Sequence, residues 1–388
     1  HLSQAAVGRV FVPHLAYELR AGVLRAHGKA GYPDCAVAIE TAEDAASGAV
    51  DLVLQVEPGP AVRIAKIAFR GDTQVPSRRL RARIELERGE RYDAERLERS
   101  FQNLYATGLF ESVRLTLEGE GSQRTLVVDA TEAPSLELFV EPGYGSYEGP
   151  RVRAGVVENN LFSSGKSGRF AGWFSELAKG VELALADPFL FHAPITGQTT
   201  FFAKDREEPS FTVDELGAEL ALRRAWSKEL STTLGIEYSE TELSDVSLAA
   251  NVPPQFVQSA DIGELTFALT YDTRDNVLSP RHGGLARFHS GLAADALGSS
   301  IEAFENGLDL STVLKLDERT LLAARSSVAL IAPYGDTDDI PLQRRLFNGG
   351  ENTVRSFRED ELGPKDPNNE PLGGEARTLL SLELRRQL

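Results

Sequence analysis

The feature that most constrains this chain is an alternation of period two that begins after Pro134 and continues almost to the last residue. Leu216, Ala218, Leu220 and Leu222 alternate with Glu215, Gly217, Glu219 and Arg223, and Leu230, Thr232, Leu234, Ile236 and Tyr238 with Ser231, Thr233, Gly235, Glu237 and Ser239. Leu265, Phe267, Leu269 and Tyr271 follow, then Leu308, Leu310, Thr312, Leu314 and Leu316 against Asp309, Ser311, Lys315 and Asp317. Such spacing sends one set of side chains to each face of a strand. The polar partners are small or charged, so one face meets water and the other meets something apolar. The runs are roughly nine to fifteen residues, longer than the soluble average of five to six and long enough for the 9 to 11 of a membrane-spanning strand. Aromatic residues gather near the ends of the runs (Tyr144, Tyr147, Trp173, Phe174, Phe189, Phe191, Trp226, Tyr238, Tyr334), as an interfacial girdle requires. The pattern predicts an antiparallel transmembrane β-barrel with about twelve strands from residue 136 onward, in preference to a soluble β-sandwich.

Before Pro134 the pattern is of mixed helix and strand, and it repeats. Phe101 to Phe110, FQNLYATGLF, followed by ESVRLTLE, echoes Val23 to Pro33, VLRAHGKAGYP, followed by DCAVAIE. In the second copy, Arg63 to Phe69 reads as a strand that stops at Gly71-Asp72, and Val75-Pro76-Ser77 opens a helix predicted to reach Leu86. Asp93 is the expected N-cap of a second helix whose apolar stripe is Leu97, Phe101, Leu104 and Tyr105, with Gly108 ending it. Val113, Leu115 and Leu117 then alternate as a strand, and Leu126 to Asp129 supplies its partner. The order is β-α-α-β-β. The first copy keeps only the second helix and the last two strands, with Leu52, Leu54 and Val56 in the final one.

Composition excludes several classes. A formal charge of −17 and a pI near 4.9 disfavour a nucleic-acid surface, which needs a basic face. No apolar run reaches the length of a transmembrane helix. The single cysteine, Cys35, reads as a small buried residue, without the neighbours that a zinc site would need. His192, His282 and His289 stand singly, and Ser163, Ser164 and Ser167 lie in a glycine-containing turn. No catalytic, cofactor-binding or metal-binding constellation is visible, so the chain is expected not to be an enzyme.

Two motifs are more specific. Arg345 to Phe357, RLFNGGENTVRSF, contains Gly349, Gly350, Val354, Arg355, Ser356 and Phe357 inside about 40 residues without periodicity, a length that is uncommon in a compact domain unless the loop has a role. Asp272, Thr273, Arg274 and Asp275, followed by Pro280 and Gly283, read as an Asx-type turn between two strands, with a calcium site as the weaker alternative. The loop resembles the lumen-plugging loop of the BamA/TamA superfamily of outer-membrane assembly barrels, whose signature V-R-G-F/Y appears here with Ser356 at the glycine position. D-T-R-D-N-x-x-x-P-x-x-G is similar to a strand-joining turn of the same family. The repeat, with its helix-end motif Gly108, Leu109, Phe110 and Val113, resembles a polypeptide-transport-associated (POTRA) repeat.

The resemblance implies a partial POTRA repeat at 1–60, a complete one at 61–134 and a barrel at 135–388 with its lumen loop at 333–374. It also implies sixteen strands in the family barrel, so the chain, which starts at His1 and contains no Met, is read as truncated at both ends. It implies that Arg355 reaches into the lumen toward an acidic residue, with Glu383 the candidate partner, and that a buried guanidinium needs such a partner. The implied function is assembly and insertion of outer-membrane proteins in a Gram-negative bacterium: periplasmic repeats receive unfolded clients by β-augmentation and the barrel assists their entry into the bilayer. The implied partners are those clients, outer-membrane lipids and periplasmic or lipoprotein accessory subunits, with no nucleic acid and no cofactor. The alternatives are a two-partner-secretion transporter and an outer-membrane porin or enzyme.

Overall fold

The computed structural model describes residues 8, 11–44, 48–71, 75–250, 252–253 and 257–386, except the side chains of Pro13, Asp44 and His192. It divides into two compact units, residues 1–135 with 159–165, and residues 136–158 with 166–388.

The first unit opens with helix α1 (Pro13–Lys29) and the hairpin β1 (Ala36–Asp44) and β2 (Ala49–Glu57). There follow β3 (Arg63–Arg70), α2 (Ser77–Arg81), α3 (Ala94–Tyr105), β4 (Phe110–Glu118) and β5 (Gln123–Glu132). Asp93 caps α3 by accepting from the backbone N–H groups of Glu95 and Arg96, at 2.8 and 3.2 Å. One core holds these elements together: Val62, Ile64, Leu80, Leu86, Leu104, Leu126 and Val128 are all almost fully removed from solvent. Each such side chain contributes about 1.5–3 kcal/mol by leaving water. Leu109 and Phe110 are buried in the same core, Val113 packs against it, and Gly108 takes a left-handed φ of 68° where the chain leaves α3.

Four expectations need correction here. Helix α2 stops at Arg81 rather than Leu86, because Ile84 and Leu86 are both buried and alternate, as an extended chain requires. Tyr105 lies outside the apolar stripe of α3, exposed and stacked on Phe101 at 5.8 Å, while Ser100 takes a core position and accepts from Glu85 N–H at 2.8 Å. Cys35 is half-buried. Of the two segments that the alternation offers as an edge for an extended client, Val113 to Leu117 and Leu126 to Val128, the second cannot be free, since the sheet order is β3-β5-β4 and places β5 in the centre. The stop residue Asp72 lies outside the described residues.

The second unit is a single antiparallel sheet of twelve strands: β6 (Leu136–Gly145), β7 (Gly149–Glu158), β8 (Ser167–Phe174), β9 (Ala178–Asp187), β10 (Ile195–Glu208), β11 (Phe211–Ala225), β12 (Leu230–Ser244), β13 (Ala260–Asp272), β14 (Gly283–Ala293), β15 (Ala303–Lys315), β16 (Thr320–Pro333) and β17 (Ala376–Arg386). Every strand pairs with its neighbours in sequence, so β6 and β17 form the two ends of the order. On one face, Leu138, Leu183, Leu220, Ile236, Phe267, Leu310 and Leu382 are among a continuous set of exposed large apolar residues. A face of that extent far exceeds the few hundred Å² of apolar patch that a protein tolerates in water, and suits the hydrocarbon of a bilayer.

The opposite, inner face is charged. Arg153 pairs with Glu182, Lys204 with Glu215 at 2.9 Å, and Arg206 with Glu208 at 2.6 Å. Two of the girdle aromatics fall elsewhere. Trp173 points to the inner face beneath Arg153, and Tyr238 lies within β12 opposite Ala218 and Gly263. Strand parity and strand length, rather than proximity to an end in sequence, decide where an aromatic ring emerges.

Candidate functional site: the inner face and its loop

The connection from β16 to β17, residues 334–375, lies against the inner face. Its entry is apolar: Ile340 and Leu342 are fully buried, Ile340 in a cluster with Ala303 and Ile331. Leu346 and Gly374 exchange backbone hydrogen bonds at 2.8 and 2.9 Å, which ties the two limbs together. The limb from Asn348 then turns back on itself, with Gly350 N–H donating to Phe357 O at 3.2 Å and Leu362 N–H to Asn348 O at 2.8 Å. Gly349 and Gly350, both at positive φ, are buried where Arg358 and Glu359 cross; a Cβ on Gly350 would sit 1.7 Å from Glu359 Oε2. Side chains are excluded at both positions by backbone conformation, and at Gly349 also by space, since a Cβ there would meet the backbone of Arg358.

Polar contacts fix the loop to turns and to a strand elsewhere in the unit. Glu351 Oε2 accepts from Ser146 N–H at 3.1 Å and Ser146 Oγ at 2.8 Å, and Arg325 Nη1 donates to Asn352 O at 3.2 Å. Ser210 Oγ donates to Pro371 O at 2.9 Å, and Ala249 N–H to Asp366 Oδ2 at 2.5 Å. A cavity of about 360 Å³ between loop and wall is lined by Arg206, Glu208, Arg344, Glu359, Asp360 and Arg377, among others. Burial first, then the charges of Glu208 and Glu359, pushes the Asp360 carboxyl up to about 7; Arg206 and Arg377 act in the opposite direction.

Arg355 does not occupy a buried position. Its guanidinium is 80% exposed and lies 3.9 Å from Glu383, which is itself 40% exposed and held closer by Arg385 at 2.7 Å. Ser356 and Phe357 are exposed and Val354 is half-buried, so the hydroxymethyl group of Ser356 meets no close packing. The loop arginine that pairs with acidic residues of the strand wall is the half-buried Arg344. Its Nη2 lies 3.0 and 3.1 Å from the two carboxylate oxygens of Glu264 on β13 and 3.2 Å from Glu305 on β15. Sequence reasoning missed this group. The inward parity of Glu264 and Glu305 was readable from the outward Leu265, Phe267, Leu308 and Leu310, but no local signal joined them to Arg344.

The β13–β14 turn is held by its own aspartates. Asp272 accepts from Arg274 N–H at 3.1 Å and Arg274 Nη2 at 2.6 Å, and Asp275 Oδ1 accepts from the N–H groups of Arg281 and His282 at 2.9 and 3.2 Å. Thr273 N–H donates to Gly284 O at 2.8 Å, and Gly283 closes the turn at φ 93°. Arg274, Pro280 and Gly283 line a cavity of about 800 Å³ that is also lined by Glu351 to Ser356 and by Glu383, so the two sequence motifs share one space. Among the described residues no group of three or more His, Cys, Asp or Glu is arranged to hold a metal. His289 lies over Gly307 of the neighbouring strand, and His282 stays within its turn beside Asp275.

An antiparallel barrel sheet with a loop folded on its charged face, joined to an α/β repeat, defines a class of membrane barrel with periplasmic-type repeats. Residues 160–388 match the Omp85 superfamily domain, and residues 62–133 match POTRA, the surface antigen variable number repeat. The chain belongs to the Omp85 superfamily. It is 22% identical over 383 residues to the outer membrane protein assembly factor BamA of Neisseria meningitidis, covering 92% of this chain and 48% of that protein. It is 24% identical over 340 residues to BamA of Neorickettsia risticii, covering 85% of this chain and 45% of that protein. The chain thus spans about half the length of the curated relatives it matches. In fold it is similar to the crystal structure of BamA from Haemophilus ducreyi lacking POTRA domains 1–3, with a TM-score of 0.75 at 20% identity over 99% of this chain and 78% of that one. CdiB from Acinetobacter baumannii is a weaker likeness, with a TM-score of 0.53 at 14% identity over 99% of this chain and 70% of that one.

Proposed function

We propose that this chain acts in the assembly and insertion of outer-membrane proteins, without enzymatic chemistry, with residues 61–134 as a complete POTRA repeat in the periplasm and 135–388 as the barrel. The names of the BamA relatives support this reading. The observation that carries the client step is the asymmetry of the repeat's sheet. Strand β3 is covered at its start by the segment 89–92, through Ile64 N–H to Glu90 O and Tyr92 N–H to Val62 O, both 2.9 Å. Strand β4 pairs with β5 on one side and has no strand on the other among the described residues. A row of unpaired backbone groups of this kind accepts an extended segment as an added strand, and an unfolded barrel protein is rich in such segments. The sheet then needs no fuel, because the folding of the client in lipid supplies the free energy. Accessory subunits and lipid contacts belong to the same reading.

The test is reconstitution of the full chain in liposomes and measurement of the folding rate of a urea-unfolded outer-membrane barrel by its heat-modifiable gel migration. Acceleration over empty liposomes is expected, and it should diminish when proline replaces alternate residues of β4 in the variant that keeps the repeat folded. A rate equal to that with empty liposomes would overturn the assembly reading; undiminished acceleration by the folded proline variant would overturn edge pairing alone.

A further inference from the structure

We infer that Arg344, gripped by Glu264 and Glu305, is a charge that seats the 334–375 loop in the barrel. Three observations converge on it. The first is burial: the Glu264 side chain is 9% exposed and that of Arg344 22%, against 80% for Arg355. A carboxylate so far from water is stable only with a close cation, whereas an exposed pair at 3.9 Å gains little.

The second is the charge of the wall around it. Glu219, Glu237 and Glu264 stand directly opposite one another on β11, β12 and β13, as successive cross-strand partners. Like charges in that register repel. Arg344 meets this row at its β13 end and joins it to Glu305. The third is a space made for the carboxylate. Gly291 on β14 lies between β13 and β15, and a Cβ there would fall 1.8 Å from Glu264 Oε1. The missing side chain lets Glu264 lie across β14 toward Glu305 and the loop. Just beyond Arg344, Arg345 donates through Nε to Ile340 O at 2.9 Å and stabilises the loop's own entry.

Arg344 is therefore a positioning residue: it fixes which conformation the loop adopts. Only the consequence for client insertion rests on the assembly reading. The test contains no client, so the two can fail separately.

The full chain is folded in detergent micelles, its barrel is verified by heat-modifiable migration, and loop cleavage by a nonspecific protease is timed. Arg344→Ala is expected to raise the cleavage rate by about tenfold or more, less than the loss of a fully buried pair would produce because the Arg344 side chain keeps 22% exposure. Glu305→Gln should give a smaller rise, and Arg355→Ala none. Reversal of the pair, Arg344→Glu with Glu264→Arg, should recover part of the protection, which a merely steric role would not give. If Arg344→Ala fails to fold, Arg344→Lys and Glu305→Gln decide in its place, each expected to loosen the loop severalfold. Unchanged protection in every folded variant at 344 and 305, or a larger loss with Arg355→Ala than with Arg344→Ala, would overturn the assignment.

Discussion

The two units bury opposite things. In the α/β repeat, Ile64, Leu80, Leu104, Leu126 and Val128 close on one another and most charges stay at the rim, as in the exposed pair Arg70–Glu118 at 2.7 Å, with Arg83 a buried exception. In the barrel sheet, Leu220, Ile236, Phe267 and Leu310 face outward, while Arg153, Glu182, Arg206, Glu264 and Arg344 lie within. The same apolar alternation thus produces a dry core in one unit and a lipid-facing surface in the other. What differs is the solvent on the far side of the strand. The repeat is held by area removed from water, and the loop in the barrel is positioned by a small number of charge contacts whose worth depends on burial.

The largest effect should come from truncating the repeat's core. Leu126→Ala leaves a cavity under the central strand and should cost about 2–5 kcal/mol, read as a loss of the repeat's cooperative melting. The matched change on the barrel's outer face, Phe267→Ala in detergent, removes a side chain that is 39% exposed and surrounded by apolar solvent, and should leave heat-modifiable migration unaltered. Equal losses in the two would break the contrast.

An intermediate effect is expected at the loop's close crossing. Gly350→Val requires a φ of 92° in a β-branched residue and a side chain where Glu359 lies, so strain of about 1–3 kcal/mol should unseat the loop while the barrel stays folded. Protease timing on the folded barrel measures it, and wild-type protection would show that the crossing is not tight.

The smallest effect is a pH dependence, weakened because the Asp360 side chain is only half-buried and its charge interactions are screened by solvent. The Asp360 carboxyl, raised to about 7 from an ordinary value of 3.8, favours the seated loop when protonated. Its contribution is complete below the unfolded value near 3.8 and is lost as pH rises through about 7. Glu208, Glu359, Arg206 and Arg377 act on it directly, and Tyr147 senses the same charges from the β6–β7 turn. Asp360→Asn should therefore protect the loop better than wild type at pH 8 and no better at pH 4. A constant difference between the two proteins across that range would locate the effect elsewhere.

The sequence by itself determined everything that repeats with a short period. Twelve long strands, an apolar and a charged face, and the β-α-α-β-β order of the second repeat all follow from spacing, because backbone geometry converts a period of two or 3.6 into a face. The Asx turn after β13 was also local, since Asp272 and Asp275 bond to groups at most seven residues away. The tertiary structure alone decided what depends on which strands meet. It placed β5 at the centre of the repeat's sheet, through parallel pairing with β3 about 60 residues earlier, and so left β4 as the open edge. It also sorted the four arginines of the loop, Arg344, Arg345, Arg355 and Arg358. Arg344 and Arg355 are the same residue in neighbouring stretches of one segment, and only the arrival of Glu264 and Glu305, 80 and 39 residues away in the chain, makes the first a half-buried partner of two carboxylates, while the second lies 3.9 Å from Glu383. Charge is written in the sequence, but the dielectric around it is a property of the packed fold.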